Sequence, residues 1–127
     1  SLLRLLLTDG TSATFLFRLS HLCSRGLLSP LGLIFQILNK WFNGCVIGVK
    51  AQFGKGLVIM HPVGVVINSK VVTGERVVIE SGVVIGDEKG LSPTIGNDVF
   101  IGAGAKIIGG VTIGDNVKII ATAVSAV

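Results

Sequence analysis

The hydrophobic positions of this chain follow two different rhythms, and the change falls near Phe42–Cys45. Before it, TSATFLFRLSHLCSRGLLSPLGLIFQILNKWF reads as two apolar helices. Thr11 or Ser12 is placed to cap the first, Gly26 to Pro30 breaks between them, and Asn43-Gly44 ends the second. After it, β-branched residues dominate and glycines recur. From Ile47 every sixth residue is large and apolar: Ile47, Phe53, Ile59, Val65, Val71, Val77 and Val83, then Ile95, Ile101, Ile107, Ile113 and Ile119 in the same register. Four positions after most of these stands a small or branched residue, among them Ala51, Leu57, Val63, Ser69, Val99, Ala105 and Val111. A helix would drift out of phase with six, and an ordinary strand would repeat every two residues.

A six-residue unit with one large and one small inward side chain forms a short flat strand and a bend. Three units close a triangle of about eighteen residues, and successive turns hydrogen-bond at roughly 4.8 Å spacing. Glycine after the large residue, at Gly48, Gly54, Gly96, Gly102 and Gly114, suits tight corners. The pattern predicts a mainly β protein, a parallel β-helix over residues 45–127, preceded by a short α-helical segment over residues 1–44.

Composition narrows the setting. Half of the 127 residues are apolar and 14% are charged, which excludes intrinsic disorder, and the 18 glycines lack a triplet period. A mean hydropathy of +0.80 is high for a small chain that must expose much of its surface. Either a membrane or neighbouring copies should cover some of that area. The longest uncharged apolar stretch of the first third, Gly26 to Asn39, is too short to span a bilayer and contains Pro30. The opening SLLRLLLTDG is interrupted as a signal segment by Asp9 and Gly10. Self-association is therefore expected, with no transmembrane span and with peripheral membrane contact left open. The net charge of +4 comes from scattered residues, without the basic stripe and interleaved aromatics of a nucleic-acid site. Cys23 and Cys45 give neither a disulfide framework nor metal spacing, and a reducing cytoplasm is the expected setting.

The block IGNDVFIGAGAKIIGGVTIGDNVKI (Ile95 to Ile119) resembles the hexapeptide-repeat acyltransferases. With MHPVGVVINS and the insertion GDEKGLSPT (Gly86 to Thr94), it looks most like the serine acetyltransferase branch and its polysaccharide O-acetyltransferase relatives. The resemblance covers roughly Val46 to Val124. It implies a left-handed β-helix, against the usual crossover hand. It also implies homotrimers that could pair as hexamers, with acetyl-CoA as co-substrate in the groove between neighbours.

One residue raises the question of chemistry. His61 lies in the aliphatic run GLVIMHPVGVVINSK, where a lone histidine is ordinarily a buried, hydrogen-bonded core residue. It falls two positions after the inward Ile59, however, at a place in the hexad that projects outward; a core histidine would take the Ile59 or Val63 position. An imidazole can accept the proton of an attacking hydroxyl and return it to the leaving thiolate. The tetrahedral intermediate also needs hydrogen-bond donors for its oxyanion. In the family the histidine matching His61 is the general base, and direct attack without an acyl-enzyme is implied.

The resemblance further places Gly86, Ala103, Lys118 and Ala121 at the cofactor, with Lys118 near a CoA phosphate. Asn68 and Ser92 stand where the acceptor would bind, and Asn68, Ser69 and Glu80 could orient His61 or an acceptor hydroxyl. Each has an ordinary alternative as a solvated lysine or a polar corner. Three departures concern the acceptor: Met60 and Val46 replace acidic residues of the serine enzymes, and Ser92 replaces a second histidine before Pro93. They lean toward a sugar hydroxyl over L-serine. Ile120 replaces a preferred glycine, and the end IIATAVSAV raises the expectation of an incomplete adenine end of the cofactor site. His21 matches a helix position of the family and is expected to pack.

Two function classes follow: an acetyl-CoA-dependent O-acetyltransferase with His61 as base, or a non-catalytic trimeric β-helix scaffold, a truncated homologue. A β-helical zinc carbonic anhydrase is excluded, because it needs three histidines and residues 47–127 hold only His61.

Overall fold

The computed structural model describes residues 9–24, 26–120 and 123–125. Two helices, α1 (Asp9–Leu22) and α2 (Ser29–Asn43), are joined through a short 3-10 turn at Gly26–Leu28. Thr11 and Ser12 do not cap α1. Both lie inside it, and the Ser12 hydroxyl instead donates to Asn43 Oδ1 across the hairpin. Pro30 sits in the first turn of α2, where its missing N–H costs nothing. Gly44 ends the helix with φ of 68°, its N–H donating to the Lys40 carbonyl.

Beyond Gly44 the chain winds into a left-handed parallel β-solenoid of about 4 turns. Three faces are built from very short strands. The five-stranded face stacks β1 (Val46–Ile47), β3 (Val66–Ile67), β6 (Val84–Gly86), β9 (Lys106–Ile108) and β12 (Ala123–Ser125). The four-stranded face stacks β2 (Val58–Ile59), β5 (Val78–Ile79), β8 (Phe100–Ile101) and β11 (Lys118–Ile119). The three-stranded face holds β4 (Val72–Thr73), β7 (Thr94–Ile95) and β10 (Thr112–Ile113), with Gln52 bridged below Val72. Inward isoleucines stack into columns such as Ile59–Ile79–Ile101–Ile119. Each contributes on the order of 2–3 kcal/mol by leaving water.

The register differs from a single unbroken period of six. Ile47 pairs with Ile67, not Val65, so the first coil is twenty residues long. Ile67 pairs with Ile85 after eighteen, and Ile85 with Ile107 after twenty-two. Two extra residues in the first coil and four in the third together make six, which is why Ile95 returns in phase with Ile47. Between these points Val65, Val71, Val77 and Val83 are still buried, but as the companions of Ile67, Thr73, Ile79 and Ile85. Val63 is 67% exposed and Ser69 is half-buried, so neither is a core position.

The corners are fixed by local chemistry. Between the three- and four-stranded faces, Gly56, Arg76, Asp98 and Asn116 all take positive φ. There Asn97 Oδ1 accepts from the Glu75 N–H and Asp115 Oδ1 accepts from the Asn97 N–H. Between the four- and five-stranded faces Gly64, Gly82 and Gly104 stack with φ of 78°, 69° and 74°. A Cβ on Gly64 would meet Gly82 Cα at 3.3 Å, so this corner favours glycine on both grounds.

Candidate active site

His61 stands at that glycine corner, and the extra pair of residues explains how. Ile59 pairs with Ile79, and the Met60 N–H donates to the Ile79 carbonyl at 2.8 Å, which aligns Met60 with Glu80. The Gly82 N–H donates to the Val63 carbonyl at 3.0 Å, which aligns Val63 with Ser81. Glu80 and Ser81 are adjacent, whereas His61 and Pro62 intervene between Met60 and Val63. His61 and Pro62 are thus the inserted pair. The Met60 bond anchors the loop before the inserted pair; after it, the Gly64 N–H donates to the Gly44 carbonyl at 2.9 Å and the Val65 N–H closes a turn on the Pro62 carbonyl at 3.1 Å. Pro62 is buried and His61 exposed, so the bulge turns its proline inward and its imidazole out.

Among the described residues the His61 ring makes no hydrogen bond, which leaves both nitrogens for an incoming ligand. Its neighbours along the loop are Met60 and Val63, 46% and 67% exposed. Glu80, half-buried one coil above Met60, is the acidic residue at this corner.

The other candidates fall into two groups. Ala103 stacks above Ser81 and Val63 on the His61 corner, two coils up, through the Gly104 N–H on the Ser81 carbonyl. Lys118 is exposed on the four-stranded face leading into that corner, its Nζ 5.5 Å from the centre of the Phe100 ring. Gly86, Asn68 and Ser92 lie at the opposite edge of the five-stranded face. The Asn68 N–H donates to the Ile85 carbonyl, which puts Asn68 beneath Gly86. Asn68 Oδ1 accepts from the Lys70 N–H at 2.9 Å and from the Ser92 hydroxyl at 3.3 Å. Ser69 belongs to this second corner and not to that of His61. One chain therefore does not bring Asn68, Gly86 and Ser92 to His61. Ala121 lies outside the described residues.

Elsewhere, His21 packs as expected, its ring 5.9 Å from that of Phe17 and its Nδ1 2.9 Å from the Val49 carbonyl. Cys23 and Cys45 are free thiols, and burial pushes the Cys45 thiol up to about 12. Among the described residues no three His, Cys, Asp or Glu side chains gather in a way that could hold a metal ion. No helix among them is long and apolar enough to cross a membrane.

The bacterial transferase hexapeptide family, described by six repeats, matches residues 92–124. A serine acetyltransferase of Helicobacter pylori is 39% identical over 124 residues, covering 94% of this chain and 72% of that protein. The crystal structure of Neisseria gonorrhoeae serine acetyltransferase in complex with serine superposes with a TM-score of 0.90 at 33% identity, covering 98% of this chain and 52% of that one. A serine acetyltransferase in complex with CoA superposes with a TM-score of 0.83 at 28% identity, covering 89% and 48%. The chain thus spans about half the length of these solved relatives. By sequence and by fold, the chain belongs to the serine acetyltransferase family of hexapeptide-repeat transferases.

Proposed function

We propose that the protein transfers the acetyl group of acetyl-CoA to a hydroxyl, with His61 as general base. The observation that carries this reading is the imidazole held out of the prism on an inserted two-residue bulge, unengaged, in a chain of this family. A ring nitrogen takes the proton of the acceptor hydroxyl as its oxygen attacks the thioester carbonyl. The tetrahedral intermediate expels the CoA thiolate, which recovers the proton from the imidazolium, leaving an ester and free CoA. Lys118 is free to offer its ammonium to a CoA phosphate, and Gly86, Ala103 and Ala121 would let pantetheine run close to the backbone. In this reading residues 45–127 are the transferase domain and residues 1–44 its helical appendage. Both cysteines being free thiols fits a cytoplasmic setting.

The working unit is a homotrimer. His61 and Ala103 occupy one edge of the five-stranded face, with Lys118 on the four-stranded face leading into it, while Asn68, Gly86 and Ser92 occupy the other edge. A complete site needs the first edge of one copy against the second edge of its neighbour. The acceptor is L-serine on the strength of the relatives. A sugar hydroxyl is the second reading, favoured by Met60 beside His61, where an apolar thioether cannot pair with an ammonium group. Thiol release from acetyl-CoA, measured against L-serine and a panel of sugars, tests both. Acceptor-dependent release that is lost in His61→Ala supports the enzyme and names the acceptor class. No release with any hydroxyl would leave a scaffold.

A further inference from the structure

Helix α2 is built the wrong way round for a helix that simply packs on its own domain. The side turned to α1 and the solenoid carries Gly32 and Asn39, both buried. A Cβ on Gly32 would lie 2.9 Å from the Ser20 carbonyl oxygen, so the helices touch there backbone to backbone. Asn39 Nδ2 donates to the Ala13 carbonyl, and Asn43 Nδ2 donates to Asn39 Oδ1. The apolar side faces out. Leu33, Ile34 and Ile37 are 51%, 51% and 53% exposed, and Trp41 and Phe42 are 78% and 79% exposed. Ile34, Ile37 and Trp41 recur at helical spacing and form one stripe with an aromatic end.

Charge says what can cover that stripe. From Gly10 to Gly74 the chain has Arg18, Arg25, Lys40, Lys50, Lys55 and Lys70 but no aspartate or glutamate. The acids beyond Asp9 begin at Glu75. Apart from Asp9 at the start of α1, the helices and first coil therefore carry basic residues and no acid, on an otherwise mixed surface. Lys40, Lys50 and Lys55 are exposed there and Lys70 is exposed in the second coil, while Arg18 is spent on the Phe53 and Gly54 carbonyls. A second copy meeting this end with its own like end would set lysines against lysines. At 15 residues, α2 is about 22 Å long, short of the roughly 30 Å bilayer core.

We propose that α2 lies in the plane of an anionic lipid bilayer, its Leu33–Ile34–Ile37–Trp41–Phe42 face in the headgroup region and Lys40 of the same helix on lipid phosphates or carboxylates. The inference goes beyond acetyl transfer and does not depend on it. Gly44, at the end of α2, hydrogen-bonds through its carbonyl to Gly64 and packs beside Val63, so the docked end of the molecule is one coil below the His61 bulge.

Trp41 is the chain's one tryptophan and sits on the face in question, so its fluorescence reports docking without labels. The intact protein is titrated with phosphatidylcholine vesicles containing or lacking 30 mol% phosphatidylserine, at low and at high salt. Docking predicts a shift of Trp41 emission to shorter wavelength with the anionic vesicles, reversed by salt. Lys40→Glu should weaken the partition about 30-fold, since about 1 kcal/mol per surface charge is altered twice. Ile37→Asp should abolish it, with the far-ultraviolet circular dichroism of both variants unchanged because both side chains are exposed. An unshifted spectrum with anionic vesicles overturns the proposal. So does a spectrum already short in wavelength without lipid, whether it depends on protein concentration, as with a second copy, or not, as with cover from the chain itself.

Discussion

Val63 and Val65 are two residues apart, chemically identical, and placed on opposite sides of the prism wall. Val65 is fully buried, its carbonyl accepting the Val46 N–H at 2.9 Å and its own N–H donating to Pro62 at 3.1 Å, while Val63 is 67% exposed. Val65→Ala removes two buried methyl groups, about 1.6 kcal/mol of transfer free energy at roughly 0.8 kcal/mol per carbon. The backbone hydrogen bonds on both sides keep the coils from closing onto the gap, so a cavity cost adds to it and the total is about 2–3 kcal/mol. Val63→Ala removes the same atoms from a position already largely in water and should cost under about 0.5 kcal/mol. Urea unfolding at fixed protein concentration separates them: Val65→Ala lowers the midpoint by about 1 M and Val63→Ala leaves it in place. Equal midpoints, or a greater loss for Val63→Ala, would refute the two-residue insertion and with it the placement of His61.

Gly64→Val forces a β-branched residue to φ of 78° against Gly82, and calorimetry should show about 1–2 kcal/mol lost. Cys45, fully buried and with its thiol pushed up to about 12, should resist a thiol reagent at pH 8 until the solenoid unfolds, and so reports global unfolding. The hydrogen bond and charge of Arg76 hold the Asp98 carboxyl below its usual range. The stabilisation from that pair is present above the ordinary carboxylate range and is lost as pH falls through the depressed value. Asp98→Asn, which keeps a residue tolerant of the positive φ at this corner, should flatten that acid limb of the stability profile.

The solenoid was legible because its inward positions are chemically monotonous: Ile95, Ile101, Ile107, Ile113 and Ile119 stand on a fixed step of six. Its first half was misread in phase. Valine at 65, 71, 77 and 83 satisfies the hydrophobic pattern as well as Ile67, Ile79 and Ile85 do, because a flat strand turns alternate residues inward, and only strand pairing tells them apart. The outward projection of His61 was legible from Ile59. Its cause, a bulge shared with Pro62, was not, since a two-residue insertion offset by a later one of four leaves the count of six intact. The cap at Thr11 or Ser12 failed because the helix begins earlier and Ser12 serves a tertiary bond to Asn43. The separation of Asn68, Gly86 and Ser92 from His61 depends on which face each corner joins, and linear spacing does not carry that.

The central claim is that the protruding imidazole removes the acceptor's proton. Steady-state acetyl transfer by His61→Asn, beside Met60→Ala on the same bulge, tests it most directly. The account predicts kcat reduced about 10²–10⁴-fold in His61→Asn with the KM for acetyl-CoA little changed, and a near-normal kcat in Met60→Ala. A His61→Asn protein that turns over at the parent rate would contradict it.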